Sequence, residues 1–300
     1  MGRKIILTGT TGKLGSVVLQ HLLKTLSPTD IIVSVYNPNG HQELKSKGVD
    51  VRAGNFQHPE SLVATYQGGD ALFLVSLPSR DDEYRIKSQT QAIDAAKKAG
   101  VKHVYYTSLA FPDGSEANVM KAHFATEDYL KQCGLNYTII REGSYMESYP
   151  VYLGLYETSS DKVVVPGDGK VAFADRTELG EATAKIIASG EYVNETVTLT
   201  GDKAYSLRET TEILSSILQK KIEFHKVSTE EFLKYNADKY EVAKWWATTY
   251  PTLESGGLGV VDPTLERLLG RKPRDFTEML KETLSNQNAG DQELSEWSSH

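Results

Sequence analysis

Cysteine is almost absent from this chain, which has one, Cys133, among 300 residues. A single cysteine excludes an internal disulfide framework and favours a reducing compartment. Because Cys133 lies where a predicted helix ends before Gly134, we interpret it as a packing residue rather than a nucleophile.

Positive charge is also scarce. The chain has 33 Lys and Arg against 40 Asp and Glu, a net charge of −7. Nucleic-acid-binding surfaces concentrate positive charge to displace counterions, so this balance argues against a nucleic-acid partner. Long apolar runs are lacking too, and the short one after Arg3 and Lys4 is too short for a signal peptide or a membrane span. We therefore expect a soluble cytoplasmic protein without a membrane partner.

Two kinds of catalytic pattern are missing. No set of His, Cys, Asp or Glu residues has the spacing of metal ligands, so we expect no metal site. No G-x-S-x-G elbow is present either, which argues against acyl transfer by a serine hydrolase.

A glycine-rich segment near the amino end is the strongest positive signal. Lys4 to Thr8 has the pattern of an apolar strand, and Ser16 to Leu26 that of an amphipathic helix. A turn with three glycines between such elements presents backbone N–H groups to a phosphate, and the helix N-terminus favours negative charge. We predict that it binds a dinucleotide pyrophosphate; the alternative is a purely structural turn. The predicted binding residues are Gly9, Thr10, Thr11, Gly12, Lys13, Leu14 and Gly15.

Strands and helices alternate through residues 1–142, which predicts a doubly wound parallel sheet of the Rossmann type, an α/β fold. The rhythm changes after that, and we expect a smaller mixed α/β substrate domain over 143–284. Residues 285–300 are polar without periodicity, so we expect a disordered tail. The predicted strands of the first domain are Lys4–Thr8, Ile31–Tyr36, Val51–Ala53, Ala71–Val75, His103–Ser108 and Tyr137–Arg141.

The motifs resemble the NmrA-like branch of the atypical short-chain dehydrogenases, and within it the bacterial quinone oxidoreductase 2 type. The resemblance covers nearly the whole chain. It implies a Rossmann fold, an NAD(P)H cofactor and a small-molecule substrate, a quinone. The motifs that carry it are the glycine-rich segment, Asn37-Pro38, Gly54-Asn55-Phe56, Tyr106-Thr107-Ser108-Leu109, Arg141-x-Gly143-x-Tyr145 and Gly167-Asp168-Gly169-Lys170.

The end of the second strand selects between the two nicotinamide cofactors in this fold. Relatives carry Arg there for the 2′-phosphate, whereas this chain has Tyr36 followed by Asn37. No carboxylate is present to favour NAD, and Lys13 could supply the missing positive charge; a solvated lysine at the start of the helix is the alternative. We therefore expect NADPH as the cofactor, with NAD as the alternative.

The resemblance places further cofactor contacts after the third and fourth strands. Asn55 and Phe56 follow the third strand, where relatives contact the adenine; a local Asn turn is the alternative. Ser76, Leu77 and Pro78 follow the fourth strand, at the sheet edge where ligands bind in this fold.

Ser108 matches the serine of the Ser-Tyr-Lys set of ordinary short-chain dehydrogenases. The tyrosine and lysine of that set align with Val119 and His123, so the acid is absent. We expect His123 to face the nicotinamide; a histidine packed against the sheet is the alternative. Quinone reduction fits this loss, because its phenolate-like product has a conjugate acid with a pKa of about 10 and can take a proton from water. The loss fits equally well with no catalysis.

The segment Glu142, Gly143, Ser144, Tyr145 follows the sixth strand, where the relatives contact the nicotinamide. Glu142 replaces an Asn of the relatives. We name Tyr145 with Ser108 and His123 as the catalytic candidates. Further aromatic residues suit a flat ring, and ordinary packing is the alternative. These are Tyr149, Tyr152 and Tyr156, with Phe173 expected to close the cleft.

Two functional hypotheses remain. The first is an NAD(P)H-dependent oxidoreductase that delivers hydride to a quinone-like flat acceptor. The second is a non-catalytic regulator that senses the dinucleotide and binds a protein partner, as regulatory members of the family do. The oligomeric state stays open.

Overall fold

The structure, a computed structural model, describes residues 2–285 and 289–298. In chain order the strands are β1 (Ile5–Leu7), β2 (Ile31–Val35), β3 (Asp50–Ala53), β4 (Ala71–Leu74), β5 (His103–Leu109), β6 (Asn136–Glu142), β7 (Lys162–Val165), β8 (Lys170–Val171), β9 (Glu195–Leu199), β10 (Tyr205–Ser206) and β11 (Glu223–Lys226). The helices are α1 (Lys13–Thr25), α2 (Gln42–Ser46), α3 (Pro59–Tyr66), α4 (Asp82–Lys98), α5 (Asn118–Gln132), α6 (Tyr149–Tyr152), α7 (Arg176–Ser189), α8 (Leu207–Ile217), α9 (Thr229–Tyr235), α10 (Tyr240–Ala247), α11 (Tyr250–Glu254), α12 (Thr264–Leu269), α13 (Phe276–Ser285) and α14 (Ala289–Ser298).

These elements form two compact units that are not continuous in sequence. The first contains residues 2–108, 122–141 and 179–197, and the second contains 109–121, 142–178 and the described residues from 198 onward. One border falls between Arg141 and Glu142, one residue before the boundary expected after residue 142. The segments 109–121 and 179–197 each join the unit to which the chain on either side of them does not belong, because long-range packing, which a local pattern does not encode, decides which unit a segment joins.

The first unit is built on a seven-stranded sheet with the order β3-β2-β1-β4-β5-β6-β9. The pairings β1–β2, β1–β4, β2–β3 and β4–β5 are parallel. β1 to β4 are short and, except for β3, fully buried, as expected for parallel strands covered on both faces. The strand order reverses between β1 and β4, which is where ligands bind in this fold. The predicted doubly wound fold is confirmed.

The second unit contains two small sheets and most of the short helices. β7 pairs with β11 in parallel, and β8 pairs with β10 antiparallel. Capping boxes begin two of its helices, Ser206 with Glu209 at α8 and Ser228 with Glu231 at α9, so their first backbone N–H groups have partners. Large aromatic side chains fill its interior.

The prediction of a disordered tail over 285–300 is wrong for residues 289–298, which form α14. Leu294 is buried, and the backbone N–H and hydroxyl of Thr158 both donate to the Asp291 carboxylate, at 2.9 and 2.7 Å. Both contacts are tertiary, which explains why the polar sequence gave no helical signal. Residues 286–288, 299 and 300 of the expected tail lie outside the described residues. Within the described part of the chain, none of the helices combines the length and apolar character needed to cross a membrane.

Candidate functional site

The glycine-rich turn after β1 is shaped by close backbone approach. Gly9 has a φ of +67°, and a Cβ there would lie 2.8 Å from the Cβ of Val75. A Cβ on Gly15 would lie 2.2 Å from the carbonyl oxygen of Gly9. The Gly12 N–H donates to the same carbonyl at 3.0 Å. Side chains at these positions would therefore push the helix away from the turn, as the glycine pattern predicts.

The amino end of α1 offers a binding place for an anion. Gly12, its N-cap, supplies no side-chain cap, and the first turn carries no acidic residue. Backbone N–H groups at such an end have no partner within the helix, and the helix dipole favours negative charge there. Lys13, the first helical residue, is exposed. Together with the close-packed glycines, this end fits a dinucleotide pyrophosphate.

A cavity of about 430 Å³ adjoins this turn at the carboxyl ends of β1, β2 and β3. Tyr36 stands on its rim with 77% of its surface exposed. The size and the mixed polar and aromatic lining suit a nucleoside. The lining residues are Gly9, Thr10, Thr11, Ser34, Val35, Tyr36, Gly54, Asn55, Phe56, Gln57 and Tyr84.

The two asparagines predicted near the cofactor both form local turns. The Asn37 side-chain oxygen accepts from the N–H of Asn39 at 3.0 Å. The Asn55 oxygen accepts from the N–H of Gln57 at 2.9 Å. The Asn55 oxygen is therefore placed as in its local-turn alternative, while Asn55 still lines the cavity.

The segment after β4 is fixed by one glutamine of α4. The Ser76 hydroxyl and the Leu77 N–H both donate to the side-chain oxygen of Gln89, each at 3.0 Å. The Gln89 amide donates to the Thr126 hydroxyl at 2.7 Å. Gln89 is completely buried. The sequence analysis identified neither Gln89 nor Arg85, which lies four residues earlier on the same face of α4.

Ser108, a predicted catalytic residue, is hydrogen-bonded inside the first unit. It is 1% exposed, and its hydroxyl donates to the Glu127 carboxylate at 2.6 Å. Arg141 binds the same carboxylate in bidentate fashion, with Nε at 3.0 Å and Nη2 at 2.6 Å. A hydroxyl has one proton to donate, so Ser108 retains only acceptor capacity.

His123 is likewise buried, and both ring nitrogens have protein partners. Nε2 lies 3.1 Å from Nη2 of Arg85, and Nδ1 lies 3.2 Å from the Tyr106 hydroxyl. Arginine only donates, so Nε2 must accept and the proton resides on Nδ1, directed at Tyr106. Burial, then the charges of Arg85 and Arg141, hold the pKa of His123 well below its ordinary value. This geometry favours the packed-histidine alternative.

Tyr145, the third catalytic candidate, belongs to the second unit. Its hydroxyl donates to the Glu142 carboxylate at 2.6 Å, and its ring lies under the Arg176 guanidinium, 4.7 Å from the ring centre. Burial, then the charge of Glu142, raises the pKa of Tyr145 well above its ordinary value. The N–H of Gly143 donates to the Leu199 carbonyl at 2.6 Å. That backbone group therefore has its partner within the unit.

The other aromatic candidates form an interior cluster. Phe173 is 1% exposed, and its ring stacks on Phe276 with centres 4.6 Å apart. Tyr152 contacts Phe173 and Trp246 edge to face, at 5.4 and 5.1 Å. Neighbours bury the Phe173 ring, and the expectation that Phe173 closes a cleft stays a prediction. Tyr149 and Tyr156 are buried as well. No group of three or more His, Cys, Asp or Glu among the described residues is placed to hold a metal ion.

Comparison with known proteins identifies relatives along nearly the full chain. The model of the NmrA-like family matches residues 1–251. Quinone oxidoreductase 2 of Escherichia coli is 30% identical over 287 residues, which cover 95% of this chain and 100% of the relative.

Solved structures agree with the sequence comparison. The E. coli NADPH-dependent quinone oxidoreductase complexed with NADPH matches with a TM-score of 0.85 and 29% identity, covering 93% of this chain and 99% of that one. The Citrobacter triphenylmethane reductase complexed with NADP(H) matches with a TM-score of 0.80 and 31% identity, at the same coverage. The resemblance predicted from the motifs is confirmed.

Proposed function

Because this chain belongs to the NmrA-like family, we propose that it is an NAD(P)H-dependent oxidoreductase that delivers hydride to a quinone-like flat acceptor. The observation that carries the proposal is the uncapped, acid-free amino end of α1 behind a turn in which Gly9 and Gly15 leave no room for side chains. Such a turn serves to bring backbone N–H groups against a diphosphate.

The residues that would hold the cofactor follow from this turn and its cavity. The pyrophosphate would lie on the residues from Gly9 to Gly15, and the adenosine would occupy the cavity beside Asn55 and Phe56, with Tyr36 at its rim. The nicotinamide would supply the hydride. NADPH is the cofactor that the solved relatives bind, as their structures show, and NADH is the alternative for this chain because Tyr36 carries no charge.

The hydrogen bonds of the three candidate residues limit the reaction. Ser108, His123 and Tyr145 each direct their proton at a protein partner: Glu127, Tyr106 and Glu142 respectively. An acceptor whose reduced form requires an enzymatic acid would be served poorly. A quinone that accepts hydride becomes a phenolate-like anion, which water protonates because the phenol has a pKa of about 10. Ser108 keeps its hydroxyl lone pairs, so we propose that it accepts a hydrogen bond from the nicotinamide amide, because a quinone has no proton to donate to it.

Steady-state assays test this proposal directly. NADPH or NADH would be mixed with the protein and a panel of benzoquinones and naphthoquinones, and nicotinamide oxidation followed by absorbance. We expect turnover that depends on both quinone and enzyme. Saturable NADPH binding without turnover of any acceptor would contradict the proposed activity, and no binding of either dinucleotide would contradict the cofactor site as well.

A second function is favoured by the same observation, that Ser108, His123 and Tyr145 each donate their proton to a protein partner. Val119 and His123 stand where ordinary short-chain dehydrogenases place Tyr and Lys, and a protein that only senses the dinucleotide needs no acid. Such a regulator would bind oxidised and reduced forms alike, without consuming either, and would change its affinity for a protein partner. Strong preference for the reduced form together with turnover would remove this alternative.

A further inference from the structure

A buried polar cluster in the first unit connects α4, β5 and α5 to the segment after β4. We call it the Arg85 cluster, and its members are Arg85, His123, Tyr106, Gln89 and Ser76. We propose that Arg85 and His123 are positioning residues that fix the segment Ser76–Pro78 for dinucleotide binding, and that His123 transfers no proton in the reaction. This inference rests on the proposed function and names what holds the cofactor segment in place.

The burial of Arg85 is costly, which indicates a role other than stability. Its side chain is 4% exposed, and Nη2 donates to two neutral acceptors, Ser76 Oγ at 2.9 Å and His123 Nε2 at 3.1 Å. Its buried Nε has no hydrogen-bond partner within the described part of the chain. Burial also lowers the pKa of this arginine. The groups hydrogen-bonded to Arg85 are neutral, and the Asp82 carboxylate of the same helix also acts on its charge. A buried charge with one donor unsatisfied is typical of functional sites.

The hydrogen bonds have one consistent direction, from Arg85 through His123, Tyr106 and Ser76 to Gln89. Arg85 makes Nε2 of His123 the acceptor, so Nδ1–H donates to Tyr106. The Tyr106 hydroxyl then donates to Ser76 Oγ, at 3.4 Å. Ser76 Oγ thus accepts hydrogen bonds from Arg85 and Tyr106, and its hydroxyl donates one to the Gln89 side-chain oxygen at 3.0 Å. If the proton of His123 were on Nε2 instead of Nδ1, it would face the donor Nη2 of Arg85, and this order of hydrogen bonds would be lost.

The charged and titratable groups facing His123 keep its ring neutral. Arg85 approaches from α4 and Arg141 acts from β6, both positive, while the phenol of Tyr106 lies on β5. On its own helix, Glu127 is bonded to Arg141. A neutral histidine with its single proton directed at Tyr106 is a spacer of fixed geometry, and the ring acts on the cofactor segment through Tyr106.

Two substitutions at one position separate positioning from proton transfer. His123→Gln keeps an acceptor for Arg85 and a donor for Tyr106 but cannot act as an acid at any pH. His123→Leu removes both hydrogen bonds at similar volume. A matched control is His103→Leu. His103, the first residue of β5, is also a buried histidine of the first unit, and its ring is hydrogen-bonded to the Thr138 hydroxyl.

The measurements are NADPH affinity by fluorescence titration, and kcat with a quinone from pH 5.5 to 8.5. For His123→Leu we expect the NADPH dissociation constant to rise about tenfold, the effect of losing hydrogen bonds to a charged group, with kcat nearly unchanged. His123→Gln should restore the affinity and reproduce the wild-type pH profile. His103→Leu should leave the NADPH affinity unchanged.

The opposite results overturn the inference. If kcat falls at least a hundredfold in both His123 variants while NADPH affinity is kept, His123 is a catalytic acid. If both variants behave as wild type, the cluster does not position the segment. Should His123→Leu fail to fold, Tyr106→Phe is the second variant, because it removes only the hydroxyl that lies between His123 and Ser76. The inference requires that Tyr106→Phe also raises the NADPH dissociation constant. A wild-type protein that neither binds NADPH nor reduces quinones defeats the proposed function itself, an outcome distinct from these.

Discussion

The glycine-rich turn of the first unit and the polar side chains near the carboxyl ends of β5 and β6 use their hydrogen-bonding groups in opposite ways. At the turn, the first helical turn of α1 has neither a side-chain cap nor an acidic residue. Near the strand ends, the hydroxyls of Ser108 and Tyr145 are each bonded to a buried carboxylate. The amino end of α1 is therefore not closed by a side chain, whereas these two hydroxyls donate within the protein.

This difference teaches how each region can fail. A backbone site depends on space, and a single added methyl group can close it. A satisfied side-chain cluster depends on charge balance, and loss of one member leaves another buried without a partner. Substitutions in the two regions should therefore change different quantities, the first ligand affinity and the second the free energy of unfolding.

The largest expected effect comes from Glu127→Ala in the satisfied cluster. Its carboxylate is 1% exposed and pairs with the Arg141 side chain, which is 12% exposed. Removing it takes the bidentate carboxylate away from a nearly buried guanidinium, so the free energy of unfolding should fall by about 3 to 5 kcal/mol. Urea denaturation measures the change. Asp128→Ala is the control, because that carboxylate is 69% exposed next to Lys131 and should contribute less than about 1 kcal/mol. Equal effects of the two substitutions would show that the buried pair of Glu127 and Arg141 stabilises the fold no more than an exposed ion pair does.

Gly9→Ala should have the next largest effect, this time on affinity. The added Cβ would lie 2.8 Å from Val75, which displaces the turn from the pyrophosphate. We expect the NADPH dissociation constant to rise about a hundredfold, corresponding to about 2.7 kcal/mol. Gly68→Ala is matched in backbone conformation, with φ +79° against +67°, but meets nothing within 4 Å. Both should lose about 1 kcal/mol of stability from the positive φ. If calorimetry finds the same NADPH affinity in both variants, the turn is structural only.

The contrast between the regions also explains what the sequence could predict. The turn was predictable because glycine spacing and strand-to-helix order are local, and the predicted strand Lys4–Thr8 contains β1 (Ile5–Leu7). The roles of Glu127, Arg85 and Gln89 were not, since each depends on partners from 9 to 38 positions away. The stacking of Phe173 on Phe276 was not predictable for a similar reason, because the two residues are far apart in the sequence. The helix α14 was missed because tertiary contacts stabilise it.

An intermediate effect should appear in the pH dependence of stability. Burial, then the charge of Arg3, lowers the pKa of His103 to about 4, whereas an unfolded chain gives about 6.5. Between these values the unfolded state binds a proton that the folded state refuses, so stability is full above pH 6.5 and falls as the pH drops toward 4. We expect a loss of up to about 2 kcal/mol from this residue. His103→Gln should flatten the slope between pH 7 and 4.5 in denaturant titrations. The exposed His58→Gln should not, and identical slopes in all three proteins would contradict the assignment.

The smallest expected effect is a change of cofactor preference at Tyr36, on the rim of the cavity. Two lysines that follow Tyr36 in the sequence have protein partners: Lys45 donates to the Pro38 carbonyl at 2.9 Å, and Lys47 pairs with Glu43 at 2.6 Å. Tyr36→Arg would add a guanidinium that can bind a 2′-phosphate in bidentate fashion. We expect the ratio of kcat/KM for NADPH to that for NADH to rise about tenfold, close to 1.4 kcal/mol. Tyr36→Gln, which is uncharged, should leave the ratio near the wild-type value. An unchanged ratio in Tyr36→Arg would mean that the ribose does not lie at the end of β2, and the nucleoside would then have to be placed elsewhere than in this cavity.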